Sequence, residues 1–83
     1  MAGYHIDKIE KRRYGSLGKI LEETEELVDA HRQGSKIMVL IELSDLYGAI
    51  EGFLQENYPQ IKISDLSKFS EITKRAFESG ERS

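Results

Sequence analysis

The sequence predicts an all-α fold: a helical hairpin plus a third helix, assembled into an oligomeric helical bundle. Three observations carry that expectation. Apolar residues recur at three-and-four spacings in three separate stretches. Short breaks rich in glycine, serine or proline separate those stretches. The chain is also only 83 residues long and has no cysteine. A folded monomer of 9.5 kDa should expose about 5,000 Å² of about 13,800 Å² unfolded, burying only about 63%. That allows one small core, so residues 1–83 read as a single domain. Without thiols, disulfides, thiolate zinc sites and a cysteine nucleophile are excluded, and helix packing, oligomerisation or both must compensate for size.

Residues 1–16 read as a mixed lead-in. Ile6 and Ile9 can begin a helical turn, but Gly15 and Ser16 interrupt it, and Ser16 is a suitable N-cap for a helix beginning at Leu17. This first helix is expected over about 17–33, its apolar stripe formed by Leu17, Ile20, Leu21, Leu27 and Val28 and extended by Thr24 and His31. Gly34 suits the position after its end, and Ser35 can cap the next helix.

A second helix is expected over about 36–56. Its main stripe is Val39, Leu43, Leu46, Ile50, Phe53 and Leu54, joined by Leu40 and Tyr47. A second stripe runs Ile37, Ile41, Ser44, Gly48, Gly52, which predicts neighbours on both sides. Each interior glycine costs roughly 1 kcal/mol relative to alanine, implying close backbone approach or room for a ligand. Asn57, Tyr58 and Pro59 stop this helix. Ile61 and Ile63 read as an extended connector. Ser64 or Asp65 then caps a third helix over about 65–79, with Leu66, Phe69, Ile72, Ala76 and Phe77 on one face and Gly80 at its end.

Twelve basic against fifteen acidic residues give a net charge of −3, which disfavours nucleic acid as a partner. The longest apolar run, Ile37 to Ile41, is far too short to span a bilayer, and no signal-type segment opens the chain. A soluble cytoplasmic protein without membrane partners is the expectation.

The acids are the informative feature. Helix one carries Glu22, Glu23, Glu25, Glu26 and Asp29, whereas helix two places Glu42 and Asp45 in its most apolar half. Residues three apart lie about 60° apart in projection, so Glu23 with Glu26, and Glu42 with Asp45, form two pairs that face each other if the helices pack antiparallel. Four adjacent carboxylates repel one another without a cation or proton, and a hard cation such as Mg²⁺ or Mn²⁺ prefers such an oxygen shell. Glu22, on the adjacent rim, can hold a second ion or accept a proton from water. The alternative for Glu22–Glu26 is a solvated, salt-bridged face, and Glu25, Asp29, Glu51 and Glu56 are read that way.

The runs LEETEELVDA and IELSDLYGAI resemble the all-α nucleoside-triphosphate pyrophosphohydrolases, the superfamily of MazG proteins, phosphoribosyl-ATP pyrophosphohydrolases and dimeric dUTPases. Its signature is EExxE followed after a gap by ExxD. Glu22, Glu23 and Glu26 supply the first part, fifteen residues intervene, and Glu42 and Asp45 supply the second. The resemblance covers roughly Tyr14 to Pro59. It implies Mg²⁺, with Mn²⁺ as an alternative, held by Glu23, Glu26, Glu42 and Asp45, with Glu22 as a further metal or base residue. It also implies hydrolysis of a nucleoside triphosphate or related nucleotide to monophosphate and pyrophosphate, by a dimer or tetramer. The stretch YGS and the tail ITKRAFESGER look like small MazG-like proteins, several of them phage-encoded. The chain departs from the common pattern where many members carry Asn, Asp or His a turn after the ExxD aspartate; here the stretch is Tyr47, Gly48, Ala49.

A phosphorylated substrate needs cations besides the metal. Lys36 and Lys19 are the expected substrate-binding lysines, and Arg12, Arg13, Lys74 and Arg75 are lesser candidates. Tyr14 is expected to stack on a base, as Tyr47 also can. His31 suits the helix-one C-terminus, and His5 lies in the lead-in. No glycine-rich phosphate cradle is present. Two other classes stand beside the enzyme: a non-enzymatic helical oligomerisation or interaction protein, including a degenerate regulatory member of the family, and nucleic-acid binding through 8–13 with Lys74 and Arg75.

Overall fold

Serines open the first two helices of the computed structural model, which describes residue 6 and residues 8–78, with side chains to residue 74. Ser16 accepts a hydrogen bond from the Lys19 amide (3.2 Å) and starts α1, Leu17–Arg32. Ser35 accepts from the Met38 amide (3.3 Å) and starts α2, Lys36–Asn57. Both satisfy amides that lack an intrahelical partner. His31 and Arg32 occupy the last turn of α1, where cations complement the helix dipole. Gly34 then takes φ +74°, the left-handed conformation that lets the chain reverse. α1 and α2 pack along one another as a hairpin.

The third helix, α3, runs Ile63–Glu78, so Ile63 is helical and not part of an extended connector. The reason is the capping geometry. Asp65 sits inside the helix and its carboxylate reaches back to accept from the Lys62 amide at 3.0 Å, which moves the start upstream. α3 touches only α2, and its Phe69 and Ile72 remain exposed. The expected roles of Ala76 and Phe77 and the stop at Gly80 lie outside the described side chains and residues.

The hairpin follows its aliphatic periodicity only in part: Ile20, Leu27, Val39, Leu46, Ile50 and Phe53 of the expected stripes are half-buried and Leu54 is buried. Leu17, Leu21 and Val28 of α1 are exposed, while Glu22, Glu23, Glu26, Asp29 and Ala30 form its buried face. On α2 the buried residues are Glu42, Ala49, Gly52 and Leu54. Leu40, Leu43 and Tyr47 of the expected main stripe are exposed, as are Ile37 and Ile41 of the second. Asp29, expected to be solvated, is only 2% exposed. The chain exposes 6254 Å², about a quarter more than the roughly 5,000 Å² expected of a folded monomer this size. Among the described residues no helix is long and apolar enough to cross a membrane.

The lead-in explains how the acids are covered. Residues 8–13 are not helical. They lie against α1, and a turn closed by the Ser16 amide donating to the Arg13 carbonyl (3.2 Å) returns the chain into the helix. Gly15 occupies the third position of that turn at φ +92°, which glycine adopts without steric cost. Arg13 pairs with Glu56 at the far end of α2 (2.8 Å). The Tyr14 ring covers Gly52, where a Cβ would fall inside the ring.

Replacing Gly15 by alanine should therefore be costly in two ways. The backbone would be strained, and the new Cβ would push aside the Glu56 carboxylate that pairs with Arg13. The expected loss is about 1–2 kcal/mol, a drop in Tm of roughly 4–16 °C, measurable by circular dichroism; an unchanged Tm would contradict the turn.

Candidate metal centre

Helical spacing places Glu23 and Glu26 one turn apart on α1 and Glu42 and Asp45 one turn apart on α2. The antiparallel register sets Glu26 against Glu42 and Glu23 against Asp45, and each of the four offers a carboxylate oxygen within 4.8 Å of the others. Glu42 is fully buried and Glu23 and Glu26 are 6% exposed, whereas Asp45 is exposed. The group is thus walled on the α1 side and opens to solvent at Asp45.

The donor set fits a hard divalent cation. Mg²⁺ binds oxygens at about 2.1 Å, so ligands on opposite sides of the ion stand about 4.2 Å apart, and the span of 4.8 Å needs only a small side-chain adjustment. Four single-oxygen ligands leave two octahedral positions for water or phosphate oxygens. Oε1 of Glu23 and Oε1 of Glu42 are buried and receive no hydrogen bond. Buried acceptors are rarely left so, and a cation would satisfy them.

Burial pushes the Glu23 carboxyl up to about 7, helped by its hydrogen bond with Glu26 and by that neighbour's charge, against the opposing pull of Lys19. A proton held near Glu23 is what the metal-free cluster uses to limit its own repulsion. Lys19 is raised in turn, first through its hydrogen bond to Glu22, with burial opposing.

The other expected site residues fall differently. Glu22 is fully buried but stands outside the four. Its Oε1 accepts from the Arg12 backbone amide at 2.6 Å and its Oε2 from the Lys19 ammonium at 2.9 Å. Both oxygens are engaged, and Glu22 fastens the lead-in to α1. Lys19 also reaches Glu23 (3.3 Å), so it lies against the acids as their counter-charge. Lys36 is exposed and lines a recess with His31, Gly34, Ser35, Val39 and Leu40 that contains none of the four carboxylates. Tyr14 packs on Gly52 and not in the cluster.

The pairing of two lead-in cations with the acids of α1 was not expected from the sequence. Lys11 lies 3.5 Å from Glu26 and 3.8 Å from Glu22, and Arg12 pairs with Glu25 at 3.2 Å. The available signal was a basic triad, Lys11–Arg13, separated from an acidic helix face by a single glycine-containing turn. Comparison with protein-family models, characterised proteins and solved structures yields no match to this chain.

The raised Glu23 carboxyl gives a pH signature. Between its ordinary value of 4.5 and about 7 the folded chain binds more protons than the unfolded one, so this group lowers stability as pH rises through that window and adds no slope above it. The metal-free protein should melt lower at pH 8 than at pH 5.5 on this account. Glu23→Gln, which cannot ionise, should flatten the slope and melt higher than the parent at pH 8. Mn²⁺ should raise the parent's Tm more at pH 8 than at pH 5.5, because metal binds the deprotonated cluster.

Proposed function

We propose that the chain is a divalent-metal-dependent nucleotide pyrophosphohydrolase, a small MazG-like member of the all-α superfamily, acting on a nucleoside triphosphate or related nucleotide. The observation that carries this reading is the convergence of Glu23, Glu26, Glu42 and Asp45 within 4.8 Å, with a buried oxygen of Glu23 accepting no hydrogen bond. These four would hold Mg²⁺ or Mn²⁺. The cation, when bound, supplies charge to phosphate oxygens and lowers the pKa of water. Glu23 and Glu26 orient from the buried wall, Asp45 from the open rim where a polyphosphate chain enters, and Glu22 positions Lys19 and the lead-in. Water then replaces pyrophosphate at the nucleotide's α-phosphorus, giving the monophosphate.

The reading includes assembly. α2 is apolar around most of its circumference, which a helix with one covered face does not need. We assign its exposed side, centred on Ile37, Leu40, Ile41 and Tyr47, to a second copy of the chain in a dimer or tetramer. Gly48, whose missing Cβ would meet nothing within 4 Å in the single chain, leaves space there for a neighbouring helix. The same exposed apolar surface favours a second reading, a helical interaction protein or a degenerate regulatory member without turnover.

A panel of canonical and modified nucleoside triphosphates with Mg²⁺, read for pyrophosphate, separates these. The enzyme reading expects turnover that falls roughly a hundredfold or more in Asp45→Asn or Glu23→Gln, the scale of losing one transition-state electrostatic contact, with helicity retained. Unchanged turnover in those variants would remove it; Mn²⁺ binding without turnover by the parent would leave the regulatory reading. Gly48→Arg should convert the assembly to monomer or unfold it. Sedimentation of the parent as a folded, active monomer at micromolar concentration would exclude the assembly.

A further inference from the structure

The lead-in touches the acids at three consecutive residues, Lys11 to Arg13, and only one of them meets a carboxylate of the candidate metal centre. Arg12 is held by Glu22, Glu25 and the Gly18 carbonyl. Arg13 is held by Glu56, and Tyr14 by Gly52. None of these partners belongs to the group of four. Lys11 is the exception, its ammonium lying 3.5 Å from Oε1 of Glu26 and at a longer 3.8 Å from Oε2 of Glu22. Its side chain is 66% exposed, compared with 24% for Lys19. Lys19 is further restrained by the 2.9 Å bond to Glu22, which a cation at the four carboxylates leaves in place.

Resting on the metal-dependent reading above, we infer that Lys11 is a displaceable counter-cation: it holds Glu26 in the metal-free protein, yields that carboxylate to the divalent ion, and then binds the polyphosphate of the substrate. The physical argument is one of charge. An ammonium beside Oε1 of Glu26 partly neutralises the cluster when no metal is present. A divalent ion on the same carboxylate repels it. The anchors at Arg12, Arg13 and Tyr14 do not depend on the metal ligands, so the backbone of the lead-in stays in place while the long, exposed Lys11 side chain turns away. The ammonium is then tethered at the rim of a site where phosphate oxygens arrive, and it needs only side-chain rotation to meet them.

This role predicts effects of opposite sign from one substitution. Lys11→Gln removes a competitor of the metal and a ligand of the phosphate. Titration of the full-length metal-free protein with Mn²⁺ should show about two- to fivefold tighter binding in the variant, the scale of one exposed ion pair. Titration of the Mn²⁺-loaded protein with inorganic tripolyphosphate should show about tenfold weaker binding, the scale of one charged hydrogen bond. Lys62→Gln, the same charge change at the start of α3, should move neither. Mn²⁺ affinity equal to or weaker than the parent's would overturn the displacement, and unchanged tripolyphosphate affinity would overturn the phosphate contact. Failure of the parent itself to bind Mn²⁺ would overturn the metal reading and this inference together, which sets that outcome apart from failure of Lys11 alone.

Discussion

The structure depends on one constraint: a face of α1 made of carboxylates is buried against α2 and the lead-in. Glu22, Glu23, Glu26 and Asp29 leave water together with Glu42, and buried carboxylates are costly unless paired, hydrogen-bonded or protonated. Each neighbouring feature answers part of that cost. Lys19 lies between Glu22 and Glu23. The Arg12 backbone amide is given to Glu22 and the Lys11 ammonium to Glu26. Gln33 donates to Asp29 at 2.9 Å. Glu23 keeps its proton into the neutral range. The helix register, the basic lead-in and the turn at Gly15 serve a charged interior.

The aliphatic residues follow from the same constraint. On a helix the side opposite a buried arc faces outward, and Leu17, Leu21 and Val28 lie about 140–180° from the centre of the acidic arc at Glu26. Burying the acids therefore exposes those residues, and α2 does the same with Leu40, Leu43 and Tyr47. Among the described residues Ala30, Ala49 and Leu54 are the fully buried apolar ones of this hairpin, with Ile20, Leu27, Val39, Leu46, Ile50 and Phe53 half-buried. The remaining apolar surface is the natural source of stability once it meets another such surface.

Much of the hairpin was legible in the sequence, because caps and breaks are local. Ser16, Gly34 and Ser35 each act within a turn or two of themselves, and each does what its residue type predicts. The convergence of Glu23 and Glu26 with Glu42 and Asp45 was legible too, since it follows from two equal spacings and a short connection. The side each helix buries was not. Periodicity locates an apolar stripe but not the element that covers it, and a stripe covered by the same chain has the same spacing as one facing outward. Asp29 was misread for that reason. The start of α3 was missed because Asp65 acts backwards from within the helix, and the lead-in because its contacts join residues ten or more apart that share no periodic pattern.

Function and folding are consequently hard to separate in this chain. In a large enzyme a cation site is a local feature inside a core that is stable without it. Here the carboxylates that suit a cation lie in the interface between the two helices of the hairpin. Any ion or proton that neutralises them acts on the hairpin directly, and the ion that Glu23 and Glu42 would hold bridges α1 to α2 as a staple does. In a small chain without disulfides, one binding event at such a cluster would also tie the two helices together. Asp45 and the Lys11 side chain are the exposed members beside otherwise buried carboxylates.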